Sequence, residues 1–328
     1  MEERRDMGGL SVVLPVFNAE KYLRSSLVAL VEQSEHPDEL VIVDDGSTDD
    51  SLKIIDEFVF PFPVIVHSQE NQGPGPARNT GIDLATQDYV YFLDSDDMLA
   101  PDAIERFKQV FEDEPEVECV LISGDLFLDE GNIDRSCFPD HSRGLPAGRA
   151  DRKKIISCFC EQGRWTVNAF LYVTKRSIWK EKGLKFHEYF HEDTEFFYRL
   201  MLSVDEFFVL DEVLYFKRVR PSSIMTGAKS DQHLKGAEVL LASLTEKKNS
   251  LSRLERRFLS IASALAAVKY VAISKGLNEK IDYRLIFSNF IAYPDVRYVL
   301  KLAVLFVPGG GRVWDSAKRI PALIKTRN

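Results

Sequence analysis

Three aspartates stand within four residues at Asp94-Ser95-Asp96-Asp97, directly after the apolar run Tyr89–Leu93. Carboxylates this close repel one another, and a divalent cation that takes oxygen ligands, such as Mg²⁺ or Mn²⁺, would offset the repulsion. Such an ion often shares its coordination with the diphosphate of a substrate. The alternative is an acidic turn that caps the next helix, because Asp and Ser favour that position. The segment therefore indicates either a metal site or a helix cap.

Two further segments carry side chains that suit an anionic ligand. The segment 72–76 is rich in Gly and Pro, which predicts an irregular loop, and it leads to Arg78. A planar guanidinium matches phosphate geometry, although a surface salt bridge is the alternative for Arg78. Asp44 and Asp45 follow another apolar run, where a carboxylate can accept hydrogen bonds from a base or a ribose. A helix-cap role is the alternative for this pair.

Short apolar runs alternate with helical patterns over the first hundred residues, and these elements must position the polar side chains. The runs lie at 11–16, 40–43, 64–66 and 89–93. This alternation predicts βαβ units and a mostly parallel sheet that is buried on both faces. Ligands of such sheets bind beyond the carboxyl ends of the strands, so we expect the polar residues at three of these ends to share one crevice.

Four segments, in this order and at this spacing, resemble the nucleotide-sugar domain of family 2 glycosyltransferases. The segments are Ser11–Asn18 (SVVLPVFN), Val43–Asp49 (VDDGSTD), Ala77–Gly81 (ARNTG) and Phe92–Asp97 (FLDSDD). Each segment alone is a weak signal, whereas the ordered set is specific. The resemblance implies a GT-A fold, a nucleotide-sugar donor, with a UDP-sugar as the expected one, and inversion at the anomeric carbon.

The resemblance also implies roles for individual residues of this half, together with a Mn²⁺ or Mg²⁺ cofactor. The implied roles are Pro15 and Phe17 beside the uracil, Asp45 bonded to it, Arg78 near the base and diphosphate, Asp94 at the ribose, and Asp96 on the metal. Asp97 is implied as a neighbour of the metal rather than a certain ligand.

Inversion by direct displacement needs a second acidic site, because a base must take the proton of the acceptor hydroxyl opposite the leaving diphosphate. His191-Glu192-Asp193 resembles the Glu-Asp motif with which a helix begins in this family, where the Asp is the base. We therefore assign Asp193 as the base. Glu192 becomes a supporting residue that binds the acceptor or positions the loop. The alternative is a pair of acids that stabilises a helix N-terminus.

Other side chains of the second half are candidate substrate contacts. Trp165 lies in a segment that resembles the family's Trp-x-Lys-Leu-Tyr strand without its Lys, and its indole is expected either on a sugar face or in the core. Arg218 and Arg220 resemble the family's Arg-x-Arg-x-x-Ser loop, which could close over the diphosphate. The alternative for these arginines is a solvated basic strand end. His233 is a lone candidate for a further metal ligand.

Charge is distributed unevenly along the chain. The 328 residues carry 42 Lys and Arg against 51 Asp and Glu, and a net charge of −9 argues against a nucleic-acid partner held by bulk charge. Residues 245–328 hold 16 basic and 6 acidic side chains, a net +10, whereas residues 1–244 sum to −19. A basic end suggests an anionic partner. The composition, 45% hydrophobic and 28% charged, is that of ordinary globular proteins.

The C-terminal segment Tyr298–Val307 is apolar and has basic residues around it. It is expected either in the interface of an anionic membrane or in a helical lid packed on the catalytic domain. We see no signal peptide, and the apolar stretches fall short of the roughly 18 residues that a bilayer span needs. We therefore expect a cytoplasmic location, with attachment to the inner face of the cytoplasmic membrane under the interfacial interpretation.

These observations predict an α/β protein with a GT-A catalytic domain at 1–230 and a helical C-terminal region at 231–328. Within the catalytic domain, the nucleotide-sugar half covers residues 8–100 and the acceptor half residues 101–230. The predicted function is inverting, metal-dependent transfer of a sugar to a glycan or lipid-linked acceptor in bacterial surface-polysaccharide synthesis. The alternative is a catalytically inactive protein that binds a nucleotide sugar as the partner of another transferase.

Overall fold

The computed structural model describes the chain in five stretches: 8–128, 141–162, 167–219, 229–245 and 251–293. Trp165, Arg220 and the segment Tyr298–Val307 lie outside the described residues. The chain forms two compact units. The first contains Met1–Arg152, Thr166–Glu188 and Arg199–Thr226, and the second contains Lys153–Trp165, Tyr189–Tyr198 and Gly227–Asn328. The predicted division at residue 230 stays a prediction.

A mixed β-sheet runs through the first unit. Its nine described strands are β1 (Leu10–Val16), β2 (Glu39–Asp44), β3 (Val64–Ser68), β4 (Tyr89–Phe92), β5 (Met98–Leu99), β6 (Cys119–Phe127), β7 (Gly148–Asp151), β8 (Tyr172–Lys175) and β9 (Glu206–Arg218). The strand order is β3-β2-β1-β4-β8-β6-β9-β5, and β7 also pairs with β9.

The four N-terminal strands are parallel, as the alternation of apolar runs and helices predicts. β1 pairs in parallel with both β2 and β4, and β2 pairs in parallel with β3. Every residue of β2 is buried, which is typical of a strand covered on both faces. The second half adds antiparallel pairings, because β8 runs against both β4 and β6, and β9 runs against β5 and β7. The predicted α/β architecture is confirmed, and the sheet is mixed because β6 and β9 of the second half also pair in parallel.

Seven α-helices begin before residue 203 in the described stretches. They are α1 (Leu23–Val31), α2 (Ser51–Glu57), α3 (Pro74–Leu84), α4 (Ala103–Asp113), α5 (Arg152–Gln162), α6 (Ser177–Glu181) and α7 (Glu192–Ser203). The helical spacing of Leu23, Leu27 and Leu30 in the sequence predicts a buried face on α1, and all three side chains are buried in the core.

The start of α3 corrects the predicted irregular loop over 72–76. Pro74 and Pro76 lie in the first turn of this helix, where backbone N–H groups have no intrahelical partner and proline is therefore tolerated. Further along, Gly81 faces β1, and a Cβ atom there would lie only 2.2 Å from Cγ1 of Val13. The helix backbone thus lies directly on the strand, and this close packing fixes the height of Arg78 above the sheet.

Aromatic side chains fill much of the core of the first unit. The rings of Tyr89 and Phe111 stack with centroids 3.7 Å apart, and those of Phe170 and Tyr215 stack at 4.0 Å. Buried aromatic residues contribute large apolar areas, and each pair adds about 0.5–1.5 kcal/mol beyond that burial. Tyr215 belongs to β9, so this packing holds the C-terminal end of that strand in place.

Within the described residues after 229, the helices of the second unit are α8 (Asp231–Ser243), α9 (Arg253–Leu277) and α10 (Tyr283–Ala292). The sequence predicts helix over 232–270, and α8 and α9 confirm it except at the break between them. α9 begins with a capping box, in which Ser252 and Glu255 satisfy each other's backbone N–H groups. It ends at Asn278, whose left-handed conformation closes the helix.

By length and composition alone, α9 could cross a bilayer, and the sequence-based expectation of shorter apolar stretches overlooked it. Among the described residues it is the one helix that meets both conditions. However, 72% of its most apolar window is buried within the structure, as in the core helix of a globular unit. The helix packs against α8, and its buried residues include the small side chains of Ala262, Ser263 and Ala266.

Candidate active site

The loops that follow β1 and β2 are tied together by side-chain hydrogen bonds. Asn18 accepts the N–H of Thr48 through its side-chain oxygen at 2.8 Å, and its own N–H donates to Oγ of Ser47 at 3.0 Å. Asn18 has a φ of 48°, a conformation that Asn tolerates better than most residues. Next to it, Phe17 is 50% exposed, whereas Pro15 is half-buried in the β1–β2 ladder. The loop therefore holds an aromatic ring at the surface beyond the end of β1.

Asp45 is buried and anchors the loop that leads to α3. Its carboxylate accepts hydrogen bonds from Nε2 of Gln69 at 2.7 Å, from the N–H of Gln72 at 3.0 Å and from the N–H of Gly73 at 2.8 Å. Gln69 in turn accepts a hydrogen bond from the Thr80 hydroxyl at 2.8 Å, which links the loop to α3. The predicted contact of Asp45 with a base stays a prediction, and loop anchoring is a role that the sequence did not reveal.

Asp44 closes a turn and does not cap a helix, because α2 begins later, with Asp50 at its N-cap position. Its side chain accepts the N–H of Ser47 at 3.2 Å. Asp44 thus stabilises a local turn, whereas Asp45 stabilises the loop that leads to α3.

Arg78 of α3 contacts Asp94 beyond the end of β4. The two side chains are 3.0 Å apart between Nη2 and Oδ1, and the Arg78 guanidinium lies 5.5 Å from the ring centroid of Phe186. Burial raises the pKa of Asp94, but Arg78 and Lys217 outweigh burial and hold that pKa below its ordinary value. Asp94 is therefore ionised at neutral pH. The neighbouring Asn79 exchanges two hydrogen bonds with the backbone of Phe186, at 2.8 and 2.9 Å, and so fixes that ring.

Asp97 is fully buried and is held by three donors from the end of β9. The Tyr215 hydroxyl and the Lys217 ammonium donate to its Oδ2, the latter at 3.1 Å, and the N–H of Arg218 donates to Oδ1 at 2.7 Å. Burial raises the pKa of Asp97 to about 7, with Asp96 acting in the same direction and Lys217 opposing it. These contacts make Asp97 an internal anchor between the acidic turn and β9.

Lys217 is the residue of this cluster that sequence reasoning missed. Burial lowers the pKa of its ammonium, but Asp97 and Asp94 outweigh burial and hold the pKa above its ordinary value. The alternation of side chains along a strand was the signal available, because Tyr215 and Lys217 are two positions apart on β9 and share one face. In the sequence, Arg218 and Arg220 of the same segment were the predicted diphosphate contacts, and Lys217 was not.

Arg218 is buried against the backbone of the acidic turn. Its Nε donates to the carbonyl oxygen of Asp96 at 2.7 Å, and its Nη2 donates to Oγ of Ser25 at 2.9 Å. The guanidinium also lies 4.6 Å from the ring centroid of Phe127 and 5.0 Å from that of Tyr22. Arg218 thus fixes the position of the Asp96 backbone, and its predicted contact with a diphosphate stays a prediction.

The acidic turn fits a divalent cation. One carboxylate oxygen from each of Asp94, Asp96 and Asp97 can be chosen so that all three lie within 4.8 Å of one another. An all-oxygen donor set suits Mg²⁺ or Mn²⁺. From the sequence, such an ion is expected to be the main positive charge that offsets the repulsion between these carboxylates. In the structure Arg78 and Lys217 already offset two of them.

Glu192 and Asp193 begin α7 and belong to the second unit. Asp193 accepts hydrogen bonds from the N–H of Thr194 at 2.6 Å and from its hydroxyl at 3.2 Å, while Glu192 is buried. Burial lowers the pKa of Lys269 on α9, whereas Asp193 acts in the opposite direction, as does Glu192. The motif therefore faces a lysine of the helical region within its own unit.

The residues before this motif are held in an unusual backbone conformation. His191 has a φ of 77°, and strained non-glycine residues of this kind are concentrated at functional sites. Gly236 of α8 lies so close that a Cβ atom there would be 1.6 Å from the carbonyl oxygen of Phe190. His233 of the same helix accepts the N–H of Ser230 at 3.1 Å through Nδ1, which is a capping role.

The predicted site residues thus fall into three groups. The first unit brings Arg78, Asp94, Asp96 and Arg218 into one cluster, and Pro15, Phe17 and Asp45 lie at neighbouring strand ends. The second unit contains Glu192 and Asp193. The remaining two, Trp165 and Arg220, lie outside the described residues.

Comparison with known proteins assigns these features to a family. The model of glycosyl transferase family 2 matches residues 11–163. An uncharacterized glycosyltransferase of Haemophilus influenzae is 33% identical over 190 residues, which cover 57% of this chain and 70% of the relative. Chondroitin synthase of Escherichia coli is 37% identical over 125 residues, which cover 38% of this chain and 18% of that enzyme.

A solved structure has the same fold. The fragment 1–349 of TarS from S. aureus, in complex with UDP, superposes with a TM-score of 0.65 at 20% sequence identity. The match covers 95% of this chain and 87% of the TarS fragment. The expected GT-A architecture is confirmed by this likeness.

Proposed function

The chain belongs to the family 2 glycosyltransferases, and from that premise we propose that it transfers a sugar from a UDP-sugar to a glycan or lipid-linked acceptor. The observation that carries this proposal is the cluster of Arg78, Asp94 and Asp96 at the carboxyl ends of parallel strands. Ligands of open α/β sheets bind at that edge, and the side chains there suit a nucleoside diphosphate.

In the proposed complex, the uracil lies beside Pro15 and Phe17 and is bonded by Asp45, while Asp94 accepts a hydrogen bond from the ribose. The exposure of the Phe17 ring supports a stacking role. Arg78, Arg218 and Arg220 are proposed to lie near the diphosphate. The anchoring of the 69–73 loop by Asp45 supports a preformed base pocket.

We assign the metal role to Asp96, with Mn²⁺ or Mg²⁺ as the ion. When bound, the ion offsets charge that develops on the leaving diphosphate. The partial exposure of Asp96 and the oxygen-only donor set support this choice. Asp97 contributes by holding the acidic turn on β9.

Asp193 is the proposed base of an inverting displacement. It takes the proton from the acceptor hydroxyl as that oxygen attacks the anomeric carbon, and Glu192 binds the acceptor or positions the loop. The left-handed conformation of His191, directly before this pair, supports a functional role for the segment. Trp165 is a proposed sugar contact.

The acceptor is proposed to be a growing bacterial surface polysaccharide. The similarity to chondroitin synthase of Escherichia coli supports a glycan acceptor, although it covers 18% of that enzyme.

We further propose that the protein is cytoplasmic and works at the inner face of the cytoplasmic membrane. Tyr283, Phe287 and Ile291 recur every fourth residue on α10 and are 48%, 60% and 76% exposed. The sequence after α10, residues 294–328, contains seven basic and two acidic residues. An apolar stripe next to a basic segment suits an anionic lipid surface.

Donor binding is tested by thermal unfolding in the presence of a panel of nucleoside-diphosphate sugars, with Mn²⁺ or with EDTA. A donor at 100 times its Kd stabilises the native state by about 2.7 kcal/mol, which is a readable shift in Tm. Asp96→Ala should lose the Mn²⁺-dependent part of the shift, and Asp113→Ala, an exposed acid on α4, is the matched control. If no nucleotide sugar shifts the wild-type Tm, the proposed donor is wrong.

Transfer itself is followed by proton NMR of the anomeric signal in the product. An inverted configuration relative to the donor supports the mechanism, and a retained configuration contradicts it. Donor binding without transfer to any lipid-linked or glycan acceptor favours the inactive nucleotide-sugar-binding partner.

Membrane attachment is tested by flotation of the full chain with phosphatidylglycerol vesicles, with phosphatidylcholine vesicles for comparison. The double variant Phe287→Ser/Ile291→Ser should bind phosphatidylglycerol about tenfold more weakly. Val59→Ser, at an 85% exposed valine of the first unit, is the control. Unchanged flotation of the double variant would contradict the proposed surface.

A further inference from the structure

Lys217 lies inside the acidic cluster rather than at its edge. Its Nζ is 3.1 Å from Oδ2 of Asp97 and 3.7 Å from Oδ2 of Asp94, and it lies 4.8 Å from the ring centroid of Phe170. The side chain is only 18% exposed. The antiparallel pairing of β9 with β5, which places Phe216 opposite Met98, brings the lysine to this position.

Cations of the chain itself meet two of the three carboxylates of the cluster. Asp94 is paired with Arg78 and lies near Lys217, while Asp97 is paired with Lys217. Two carboxylates are thus met by two cations that belong to the chain itself. Removing one partner of a buried pair leaves the other charge uncompensated, so these two cations hold the carboxylates in their observed places.

We propose that Lys217 is a built-in counter-cation of the donor site, which gives nucleotide-diphosphate binding a component that needs no divalent metal. The inference rests on the proposed function, because it assumes that a diphosphate binds beside this cluster. A compact ammonium fixed between two carboxylates raises the local potential that a diphosphate meets. The same charge repels a divalent cation, so it also weakens binding of the metal alone.

The experiment measures UDP affinity by calorimetry in two buffers, one with saturating Mn²⁺ and one with EDTA. Lys217→Met should weaken UDP binding about tenfold or more in EDTA, where the ammonium is the main local cation besides the arginines. In saturating Mn²⁺ the loss should stay within about threefold, because the ion replaces the missing charge. The ratio of the two Kd values should therefore rise, and Mn²⁺ without nucleotide should bind more tightly.

Lys217→Arg should restore binding in EDTA, because it returns a cation to the same place. The matched control is Lys108→Met, since Lys108 is also a poorly exposed lysine between two carboxylates, 3.0 Å from Glu35 and 3.2 Å from Asp38. No ligand is proposed for Lys108. Lys108→Met should therefore leave the UDP affinity unchanged in Mn²⁺ and in EDTA.

A second variant tests the net charge of the cluster. In Lys217→Met/Asp97→Asn both the ammonium and one buried carboxylate are removed, so stability should recover towards that of the wild type. The double variant keeps the net charge of the wild-type cluster, so UDP binding in EDTA should also recover towards that of the wild type.

The outcomes distinguish this inference from the proposed function. If the wild type binds UDP in neither buffer, the proposed function fails. If the wild type binds UDP but Lys217→Met, or the double variant, loses the same factor in both buffers, Lys217 has only a structural role and the counter-cation is refuted.

Discussion

Asp97 and Asp193 lie in two acidic segments of this chain, and the hydrogen bonds described for them come from donors at very different distances in sequence. Asp97, in the first unit, takes donors from residues that lie 118 to 121 positions later. Asp193, in the second unit, takes two hydrogen bonds from Thr194, the next residue. The donors to Asp97 come from a distant strand, whereas the hydrogen bonds from Thr194 are local and the segment before Asp193 packs against Gly236 of α8. Under the proposed function, the first segment determines donor binding and the second determines turnover.

The largest effect is expected at Asp193. Asn cannot accept the proton of the acceptor hydroxyl, so Asp193→Asn should lower kcat by about 10²–10⁴-fold. UDP affinity should stay within about twofold, since the residue has no assigned contact with the donor. Steady-state rates and calorimetry measure the two quantities.

Asp231→Asn is the control for Asp193, because it also removes an acid from the first turn of a helix in the second unit. It should cost only about 0.3–1 kcal/mol of stability through the helix dipole. If Asp193→Asn has the same kcat as the control, Asp193 is not the base and its segment does not determine turnover.

A smaller loss of turnover is expected from Gly236→Ala. The added methyl would lie 1.6 Å from the Phe190 carbonyl oxygen, so the segment before Glu192 and Asp193 must shift. A misplacement of about 1 Å can cost a factor of about 10² in rate, and kcat should fall by about 10–100-fold with UDP affinity retained. Gly276→Ala is the control, because a Cβ there meets no atom within 4 Å. Equal rates for the two variants would show that this contact does not position the loop.

Donor affinity, rather than kcat, should respond to Asp45→Asn. The amide offers one acceptor oxygen in place of two, so at least one hydrogen bond to Gln69, Gln72 or Gly73 is lost. A buried hydrogen bond to a charged group contributes about 1.5–3 kcal/mol, and part of that loss should appear as a roughly tenfold higher Kd for UDP. A fall in kcat at unchanged Kd would contradict the assignment of this strand end to the donor.

The smallest functional effect is expected from Gly81→Ala. The methyl meets Val13 at 2.2 Å and should lift α3 slightly from β1, which costs about 1–3 kcal/mol of stability by overpacking. Arg78 moves with the helix, so the Kd for UDP should rise about threefold. Asp83→Ala, on the exposed face of α3, is the control for both the melting curve and the titration. If stability falls and the Kd for UDP does not change, the position of α3 on the sheet does not affect UDP binding through Arg78.

The parallel half of the fold was predictable because its signals are local. Each of β1, β2, β3 and β4 is a short apolar run, and the helices between them show buried faces at helical spacing. The mixed pairing of the second half was not, because the partners of β8 and β9 are set by packing between segments that lie far apart in the sequence. The irregular loop predicted over 72–76 was wrong at Pro74 and Pro76, since proline is compatible with a first helical turn as well as with a loop.

The site shows the same dependence on sequence distance. Asp94, Asp96 and Arg78 stand in short motifs, so they were found, and the structure brings them together. Lys217 and Gln69 act through partners elsewhere in the chain, and the two-residue spacing of Lys217 from Tyr215 shows a shared face without identifying the partner. From the sequence alone, a metal is therefore expected to offset the repulsion between the aspartates. In the structure, Lys217 already reduces that repulsion.

The donors that β9 supplies to Asp97 also have a consequence for synthesis of the chain. The acidic turn and the four parallel strands are made before Tyr215, Lys217 and Arg218, so Asp97 must wait for about half of the catalytic region before its partners exist. Burying an unpartnered carboxylate is costly, and pairings between distant residues form slowly. During synthesis, we therefore expect the packing around Asp97 to be completed only when β9 emerges from the ribosome.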